Sequence, residues 1–225
     1  PAPELAGLPK LTPTRHHTKV DPINIAIVGT EAELDAAMHA AGWVVADRAT
    51  RASDIAIAKS VLLDRPDSTA PVSQLYLFSR PQDFAFEREV GGSARSRHHV
   101  RFWLADGVQH DNRPVWMGDA TFDLRAGVTR DLHPTHHIAP DVDQERDTLV
   151  ANLTAARQVA TVFTVSGMGI RVESHNGEGD RFDTDGEIDV MVLPPGGASV
   201  VHVDTLPEPA IVATKDRLWR WVHAH

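Results

Sequence analysis

The chain has 225 residues and a formal net charge of −9 at pH 7, and it contains no cysteine. This length suits one large domain or two small ones, and a hydrophobic share of 42% is enough to build a core. The absence of cysteine excludes disulfides, thiolate nucleophiles and cysteine-based zinc sites, and the acidic balance argues against nucleic acid as a partner.

The first 22 residues are rich in proline, which occurs at positions 1, 3, 9, 13 and 22. This composition predicts an extended arm that leads into the folded part of the chain and does not fold alone. Residues 23–225 contain no internal repeat and no convincing linker, so we predict a single domain over that range. No stretch reaches the roughly 18 apolar residues that a membrane-spanning helix needs, and we therefore expect a soluble domain.

A short apolar run, residues 23–28, predicts a buried strand, and residues 31–41 then predict a helix. Thr30 is suited to cap the start of this helix, and Glu33 three residues later completes the pattern of a capping box. Gly42 is a natural stop for the helix. The turn between strand and helix holds a single glycine, so the sequence indicates neither a dinucleotide-binding loop nor a nucleoside-triphosphate loop.

The remaining chain alternates between strand and helix patterns. Helices are predicted over residues 51–63 and 141–157, and a short closing segment at the C-terminus carries Trp219 and Trp221. Strands are predicted over residues 73–79, 83–90, 97–104, 115–124, 160–165, 170–173 and 187–193, with a polar loop at Asp106-Gly107 between the third and the fourth. Together these patterns predict an α+β fold, in which two to three helices pack on a central mixed, largely antiparallel sheet.

The strand predicted over residues 97–104 has two chemically different faces, because strand side chains alternate. One face carries Arg95, Arg97, His99, Arg101 and Trp103, and the other carries His98, Val100, Phe102 and Leu104. The polar face of the next predicted strand includes Asp119 and Asp123. If the two strands pair, a basic face lies beside an acidic one. This is either a half-exposed sheet with cross-strand Arg–Asp pairs or the wall of a site that binds phosphate or carboxylate.

The second long predicted helix places an arginine on its apolar stripe. Arg146 lies four residues after Val142 and three before Leu149, both of which belong to the face that packs on the core. A buried arginine needs a carboxylate or a bound anion, and Asp119 or Asp123 would be suitable partners. The pattern leaves open whether Arg146 forms a structural ion pair or takes part in catalysis.

Histidine and carboxylate side chains in the same region offer donors for zinc, manganese or iron. The donors that we considered are His98, His99, His133, His136, His137, Asp119, Asp141 and Asp143. Their spacing matches no strong metal-binding motif, and neighbours such as His98 and His99 diverge in a strand. The pair His136-His137 is predicted in a loop and is less constrained. The candidate ligands of a divalent metal, zinc or manganese, are therefore His99, His136, His137 and Asp143.

Six segments resemble the LssY C-terminal domain family: DPINIAIVG (21–29), AGW (41–43), APVSQLYLFSRPQDFAFE (70–87), SRHHVRFW (96–103), PVWMGDATFD (114–123) and THHIAPDVDQERD (135–147). The resemblance covers about residues 20–160, and it is specific through the combination of segments. It implies attachment to membrane proteins with DedA-like or phosphatidic-acid-phosphatase-type segments, and hence work near the bacterial envelope, but no catalytic assignment. The recurring residues of the family correspond to Arg97, His99, Arg101, Trp103, Asp123, His136, His137, Asp143, Glu145 and Arg146.

These observations support three hypotheses of different classes. The preferred one is an envelope-associated accessory domain that binds an anionic ligand, a phosphate-bearing lipid or sugar, through Arg97, Arg101, Trp103 and Arg146. The second is a metal-assisted hydrolase of phosphoester or acyl substrates, with His99, Asp119, Asp143, Glu145 and Arg146 as candidate catalytic residues. The third is a structural or interaction domain in which the same residues form a buried polar network.

The preferred hypothesis makes an anionic small molecule or a lipid head group the expected partner, with membrane proteins as further candidates. The domain is then expected to be tethered to the bacterial membrane or to lie close to it. The sequence leaves open whether the protein is an enzyme and whether it holds a metal.

Overall fold

The described part of the chain consists of eight stretches. The computed structural model describes residues 3–5, 7–13, 19–46, 75–91, 93–128, 134–168, 170–176 and 179–223. Of these, residues 13, 19–20, 93–95, 125–128, 134–136 and 223 are described by their backbone alone. The helix predicted over residues 51–63 lies outside the described residues.

The described residues form mostly strands. In chain order the strands are β1 (Leu11–Pro13), β2 (Lys19–Pro22), β3 (Ile25–Val28), β4 (Val44–Val45), β5 (Tyr76–Leu77), β6 (Arg80–Pro81), β7 (Phe84–Val90), β8 (Ser93–His110), β9 (Arg113–Val128), β10 (Pro134–Ile138), β11 (Thr161–Ser166), β12 (Val172–His175), β13 (Arg181–Thr184), β14 (Glu187–Val192) and β15 (Asp204–Thr205). The helices are α1 (Glu31–Ala40), α2 (Val142–Ala155) and α3 (Ala210–His223). Single 3₁₀ turns occur at Pro3–Leu5 and Pro195–Gly197.

Nine of these strands form one sheet in the order β15-β11-β14-β3-β9-β8-β7-β4, with β10 added along β9. The pairs β14–β3 and β11–β15 are parallel, and the other neighbours are antiparallel. The predicted α+β fold, with a mixed and largely antiparallel sheet, is therefore confirmed. None of the helices in the described stretches is long and apolar enough to cross a membrane.

Both faces of the sheet are covered. On one, which we call the helix face, apolar side chains such as Val100 and Phe102 of β8 pack against Leu34 of α1 and Leu149 of α2. The opposite face, which we call the arm face, packs apolar residues of the sheet against Leu5 and against Leu75 and Leu77 around β5. The basic alternate positions of β8 belong to the arm face, so the half-exposed sheet that the alternation allowed is not what forms.

The two helix starts that the sequence indicates are stabilised locally. Glu33 donates its backbone N–H to the Thr30 hydroxyl at 3.3 Å, and the Glu33 carboxylate accepts the Thr30 N–H at 2.7 Å, so the predicted capping box is present. Gly42 follows α1 with φ of +80°, a conformation that favours glycine. Asp141 accepts the N–H of Gln144 at 3.1 Å and begins α2. Capping depends on neighbours within a few residues, which is why the sequence predicts it.

The predicted loop at Asp106-Gly107 is wrong. Strands β8 and β9 continue past it and are joined at Asp111 and Asn112, whose φ angles of 50° and 60° suit a tight two-residue hairpin turn. The register between β8 and β9 shifts between Leu104 and Gln109, and Gly107 lies inside this irregularity with φ of +75°. The Asp-Gly pair therefore serves a bulge within the strand, not its end.

Two further segments differ from the prediction. Residues 134–138, predicted as a loop with His136 and His137, form β10 along the second half of β9. The closing segment is a full helix, α3, whose Val212 is 1% exposed. β10 pairs with the strand that directly precedes it in the chain, whereas α3 is attached through Lys215 to Glu187 of the more distant β14. The local sequence pattern of each segment shows neither contact.

The N-terminal arm packs on the sheet. Leu5 is 1% exposed within the core of the arm face, and β1 pairs antiparallel with β2 through Leu11 and Pro22. Thr12 and Asp21 are also buried. The boundary that the sequence suggested at residue 23 stays a prediction.

Candidate functional site

The structure divides the predicted constellation between the two faces of the sheet. Arg97, His99 and Arg101 of β8 lie on the arm face, whereas Glu145 and Arg146 belong to α2 on the helix face. The structure therefore does not bring the two groups together, because the sheet lies between them. The described residues instead form a buried cluster on the arm face and an open pocket beside α2.

The buried cluster consists of seven side chains from β2, β7, β8 and β9. They are Asp21, Glu87, Arg97, His99, Arg101, Asp119 and Asp123, all at most 7% exposed. The β8–β9 register sets Arg97 opposite Asp123 and Arg101 opposite Asp119, so the predicted basic face does lie beside an acidic one. Each arginine is consequently paired across strands.

The arginines of the buried cluster donate to carboxylates on neighbouring strands. Arg97 Nη1 donates to Glu87 Oε2 at 2.7 Å, and its Nε lies 3.6 Å from Asp123 Oδ2. Arg101 Nη1 donates to Asp119 Oδ2 at 3.2 Å. These side chains are 1% and 7% exposed, and the neighbouring Trp103 is 0% exposed. A ligand in solvent cannot reach them without opening the arm face.

His99 lies between two carboxylates. Its Nδ1 is 2.9 Å from Asp123 Oδ2, and its Nε2 is 3.5 Å from Glu87 Oε2. Both ring nitrogens therefore face acceptors within the cluster. The arrangement holds the imidazole in place and leaves it no approach to solvent, since the residue is 1% exposed.

The buried cluster has more carboxylates than cations. Desolvation by burial raises the pKa of Asp21 to about 6, against the opposing charge of Arg101. Burial also raises the pKa of Asp119 well above its ordinary value, and the nearby Asp21 adds to this. Near mildly acidic pH the cluster consequently holds a proton on one of these two carboxyl groups.

Arg146 lies among four carboxylates on the helix face. Its guanidinium nitrogens lie 2.9 Å from Asp185, 3.0 Å from Asp147, 3.4 Å from Asp189 and 3.6 Å from Asp143. These charges outweigh the effect of burial and raise its pKa further. The partners that the sequence suggested, Asp119 and Asp123, are wrong, because they point to the opposite face of the sheet.

Asp143 and Asp185 share Arg146, but their pKa values are displaced in opposite directions. Burial raises the pKa of Asp143 in spite of Arg146. Burial acts in the same direction on Asp185, but hydrogen bonds from Arg146 lower the pKa of Asp185 below its ordinary value. The Asp143 carboxylate also accepts the Thr184 hydroxyl at 2.8 Å and the Asp185 N–H at 2.6 Å. Both groups thus fix the turn between β13 and β14.

A pocket of about 590 Å³ opens beside Arg146, between the start of α2 and the β12–β13 hairpin. This volume lies in the range of small-molecule sites. The charged side chains that line it are Asp141, Asp143, Asp147, Glu173, Asp183 and Asp185 together with Arg146, Arg171 and Arg181. Trp219 of α3 contributes an aromatic wall. We call this cavity the α2 pocket; its carboxylates exceed its arginines by three.

Glu145 joins α2 to the sheet. Its carboxylate lies 2.7 Å from His98 Nδ1, and the residue is only 3% exposed. Burial raises the pKa of Glu145, although His98 opposes the shift. Glu145 therefore lies outside the α2 pocket, and its contacts are those of a helix anchor.

The predicted metal ligands are not brought together in the described residues. His99 and Asp143 lie on opposite faces of the sheet, and His137 Nδ1 is 2.6 Å from Asp180. The side chain of His136 lies outside the described residues. In the described ranges, a group of three carboxylates with oxygen atoms within 4.8 Å of one another is formed by Glu187, Glu208 and Asp216, away from the predicted set.

A comparison with protein families identifies the family of this chain. The family model described as LssY C-terminus matches residues 5–188. The chain belongs to this family. No curated protein and no solved structure matches the chain.

The match to the LssY C-terminus family is longer than the resemblance seen in the sequence. It begins at Leu5, whose side chain is buried on the arm face, and it ends within β14. It therefore includes the whole buried cluster and most of the α2 pocket. Helix α3, which supplies Trp219, lies beyond the matched residues.

The sequence interpretation of this LssY C-terminus domain missed some residues of the buried cluster and some of the carboxylates around Arg146. Asp21 and Glu87 complete the buried cluster, and Asp185 and Asp189 complete the surroundings of Arg146. Alternation with apolar neighbours along β7 is a signal that could have indicated Glu87. Asp21 carries no such signal, because its burial depends on how the arm packs.

Proposed function

We propose that this LssY C-terminus domain binds a small ligand rich in hydrogen-bond donors, and that the ligand lies in the α2 pocket. The observation that carries the proposal is the carboxylate excess around Arg146. Ionised carboxylates only accept hydrogen bonds, so the pocket favours hydroxyl and ammonium groups. A net negative lining also attracts cations and repels anions.

The anionic ligand that the sequence suggested is a weaker candidate. Arg97, Arg101 and Trp103 are buried on the arm face, and Arg146 alone among the four predicted contacts lines the α2 pocket. An anion would have to displace one of the carboxylates that already contact Arg146, at the cost of their hydrogen bonds. Anion binding, like a location close to the bacterial membrane, stays a prediction.

A hydrolase is the second candidate, and one observation favours it. Asp143 and Asp185 lie together in the α2 pocket, and their pKa values are displaced in opposite directions. Such a pair can serve as general acid and general base. Both carboxylates also hold the β13–β14 turn, however, so their contacts have a sufficient structural role. We therefore propose ligand binding as the first candidate function and hydrolysis as the second.

Three related sugars test the proposal because they share the pyranose ring and carry a positive charge, no charge and a negative charge. Glucosamine, glucose and glucose 6-phosphate are titrated into the protein, and the backbone amide shifts of α2 and the β12–β13 hairpin are followed by NMR. We expect glucosamine to bind most tightly. Its affinity should exceed that of glucose by about fivefold, since one charge pair about 4 Å apart in water contributes about 1 kcal/mol. Glucose 6-phosphate should bind least.

Matched variants locate the site. Asp147→Asn and Glu173→Gln each remove a charge from the pocket lining and should weaken glucosamine binding. Asp204→Asn removes a similarly exposed charge elsewhere and should leave glucosamine binding unchanged. Tightest binding by glucose 6-phosphate would establish the anion site in place of the proposal. No saturable shift with any of the three sugars would contradict both.

A further inference from the structure

An apolar groove lies along the outer side of α3. Ile170 and the helix residues Ile211, Leu218 and Val222 line it, and each of these side chains is 58–70% exposed. The groove has a volume of about 480 Å³, which again lies in the range of small-molecule sites. Four large apolar side chains exposed in one patch are unusual on a globular protein and mark a binding surface.

The exposed apolar face is separate from the one that holds α3 on the domain. Ile211, Leu218 and Val222 are seven and four residues apart, so they lie on one side of the helix. Val212, which is 1% exposed, belongs to the adjoining, packed side, about 100° further round the helix. Ion pairs of Lys215 with Glu187 and of Arg171 with Asp216 add to that attachment. The groove residues are thus available to a ligand without unfolding α3.

The groove is continuous with the α2 pocket. Arg171 and Trp219 line both cavities, and the Arg171 guanidinium lies 5.5 Å from the centre of the Trp219 ring. The chain next to Arg171 is held through its backbone, because the Met168 N–H donates to the carbonyl of Gly186 at 2.8 Å. Gly186 also lies very close to Ile170, since a Cβ on Gly186 would lie 2.1 Å from the Ile170 carbonyl oxygen. The polar cavity and the apolar groove therefore lie side by side and share a border at Arg171 and Trp219.

We propose that the ligand is an amphiphile with a single apolar chain, whose chain lies in the α3 groove while its donor-rich head group occupies the α2 pocket. This inference rests on the proposed function, because it places the head group in the same pocket. The adjacent polar cavity decides between occupants: a membrane surface or a flat protein partner would cover the groove but leave the carboxylates of the pocket unfilled. A single molecule with a donor-rich head group and an apolar chain would fill the α2 pocket and the α3 groove together.

Octyl glucoside and glucose form a matched pair of probes, since they share the head group and differ by the chain. Each is titrated into the whole chain, with octyl glucoside kept below its micelle concentration, and binding is followed by NMR and calorimetry. We expect octyl glucoside to bind at least about tenfold more tightly than glucose, which is the gain from removing about two methylene groups from water. Amide shifts should then extend from α2 to α3.

Variants at exposed positions of α3 test where the apolar chain of the ligand binds. Leu218→Ser and Ile211→Ser should remove most of the tenfold gain and leave glucosamine binding unchanged, because neither residue lines the α2 pocket. Trp221→Ser is the control: Trp221 is 66% exposed on the same helix but does not line the groove, so its loss should have no effect. All three side chains are exposed, and unchanged thermal unfolding would show that the variants fold.

The possible results separate this inference from the proposed function. Glucosamine binding without any gain from the octyl chain would overturn the amphiphile and keep the donor-binding pocket. Octyl glucoside bound in the groove with no glucosamine binding would overturn both. Binding to vesicles of phosphatidylcholine and phosphatidylglycerol that Leu218→Ser and Trp221→Ser weaken equally, without octyl glucoside binding, would make α3 a membrane-docking face instead.

Discussion

Replacing Arg146 by methionine removes the cation of the α2 pocket while keeping an unbranched side chain of similar reach. The Arg146 side chain is 9% exposed, and Asp143, Asp185 and Asp189 around it are 14–17% exposed. These three carboxylates would then face one another without the guanidinium. Breaking a buried ion pair by removing one partner costs about 3–5 kcal/mol. We expect a loss of about 3 kcal/mol in the free energy of unfolding at pH 7.5.

The stability lost in the Arg146→Met variant should increase with pH, and this direction follows from the pKa values of the surrounding carboxylates. Without Arg146 the folded-state pKa of Asp185 loses the contact that lowers it, and the pKa values of Asp143 and Asp189, which burial already raises, rise further. Groups of this kind contribute stability when protonated, and that contribution disappears as the pH rises through the raised folded-state pKa. The Arg146→Met variant should therefore approach the stability of the wild type at pH 4.5 and fall behind it as the pH increases.

Urea unfolding of both proteins at pH 4.5, 6.0 and 7.5 measures the effect. Arg181→Met is the matched control, because Arg181 lines the same pocket and pairs with Glu173 and Asp183 but is 58% exposed. Exposed ion pairs contribute little, so this variant should stay within about 0.5 kcal/mol of the wild type. A cost below about 1 kcal/mol for Arg146→Met at pH 7.5, or a cost that does not change with pH, would refute the reasoning.

Three further changes test the buried cluster, the β13–β14 turn and α1. The folded-state pKa of Asp21 is about 6, against an ordinary value of 3.8, so the wild type should lose about 3 kcal/mol of stability as the pH rises from about 4 through 6, of which about 1.4 kcal/mol falls between pH 5 and pH 8. Asp21→Asn should abolish most of that loss in urea unfolding at pH 5 and pH 8, and an undiminished loss would place the titration elsewhere. Gly186→Ala should lower the free energy of unfolding by about 1–3 kcal/mol more than Gly179→Ala does. Both glycines have positive φ, but only a Cβ at Gly186 would meet the Ile170 carbonyl. Equal effects of the two substitutions would contradict this close approach. Thr30→Ala should cost about 1 kcal/mol in the same assay by removing the cap of α1, and a neutral result would deny the cap a role.

The sequence by itself determined the features that depend on near neighbours. The capping box and the stop signal define α1, and the Asp141 cap defines the start of α2, because these contacts join residues only a few positions apart. Strand alternation sorted the side chains of β8 and β9 into faces and indicated a basic face beside an acidic one. The individual pairs, Arg97 with Asp123 and Arg101 with Asp119, come from the register in the structure. These inferences need only the periodicity of a strand or a helix.

Only the tertiary structure decided which of those side chains can meet a ligand. The basic face of β8 is buried because Leu5 and Asp21 of the arm pack over that side of the sheet, which no local pattern records. Arg146 was correctly placed on the packed stripe of α2, yet its partners come from the distant β13–β14 turn and from β14. The α2 pocket and the α3 groove likewise arise where segments far apart in sequence meet. Burial and charge pairing are set by what covers a surface, and alternation within one strand or helix says nothing about the covering segment.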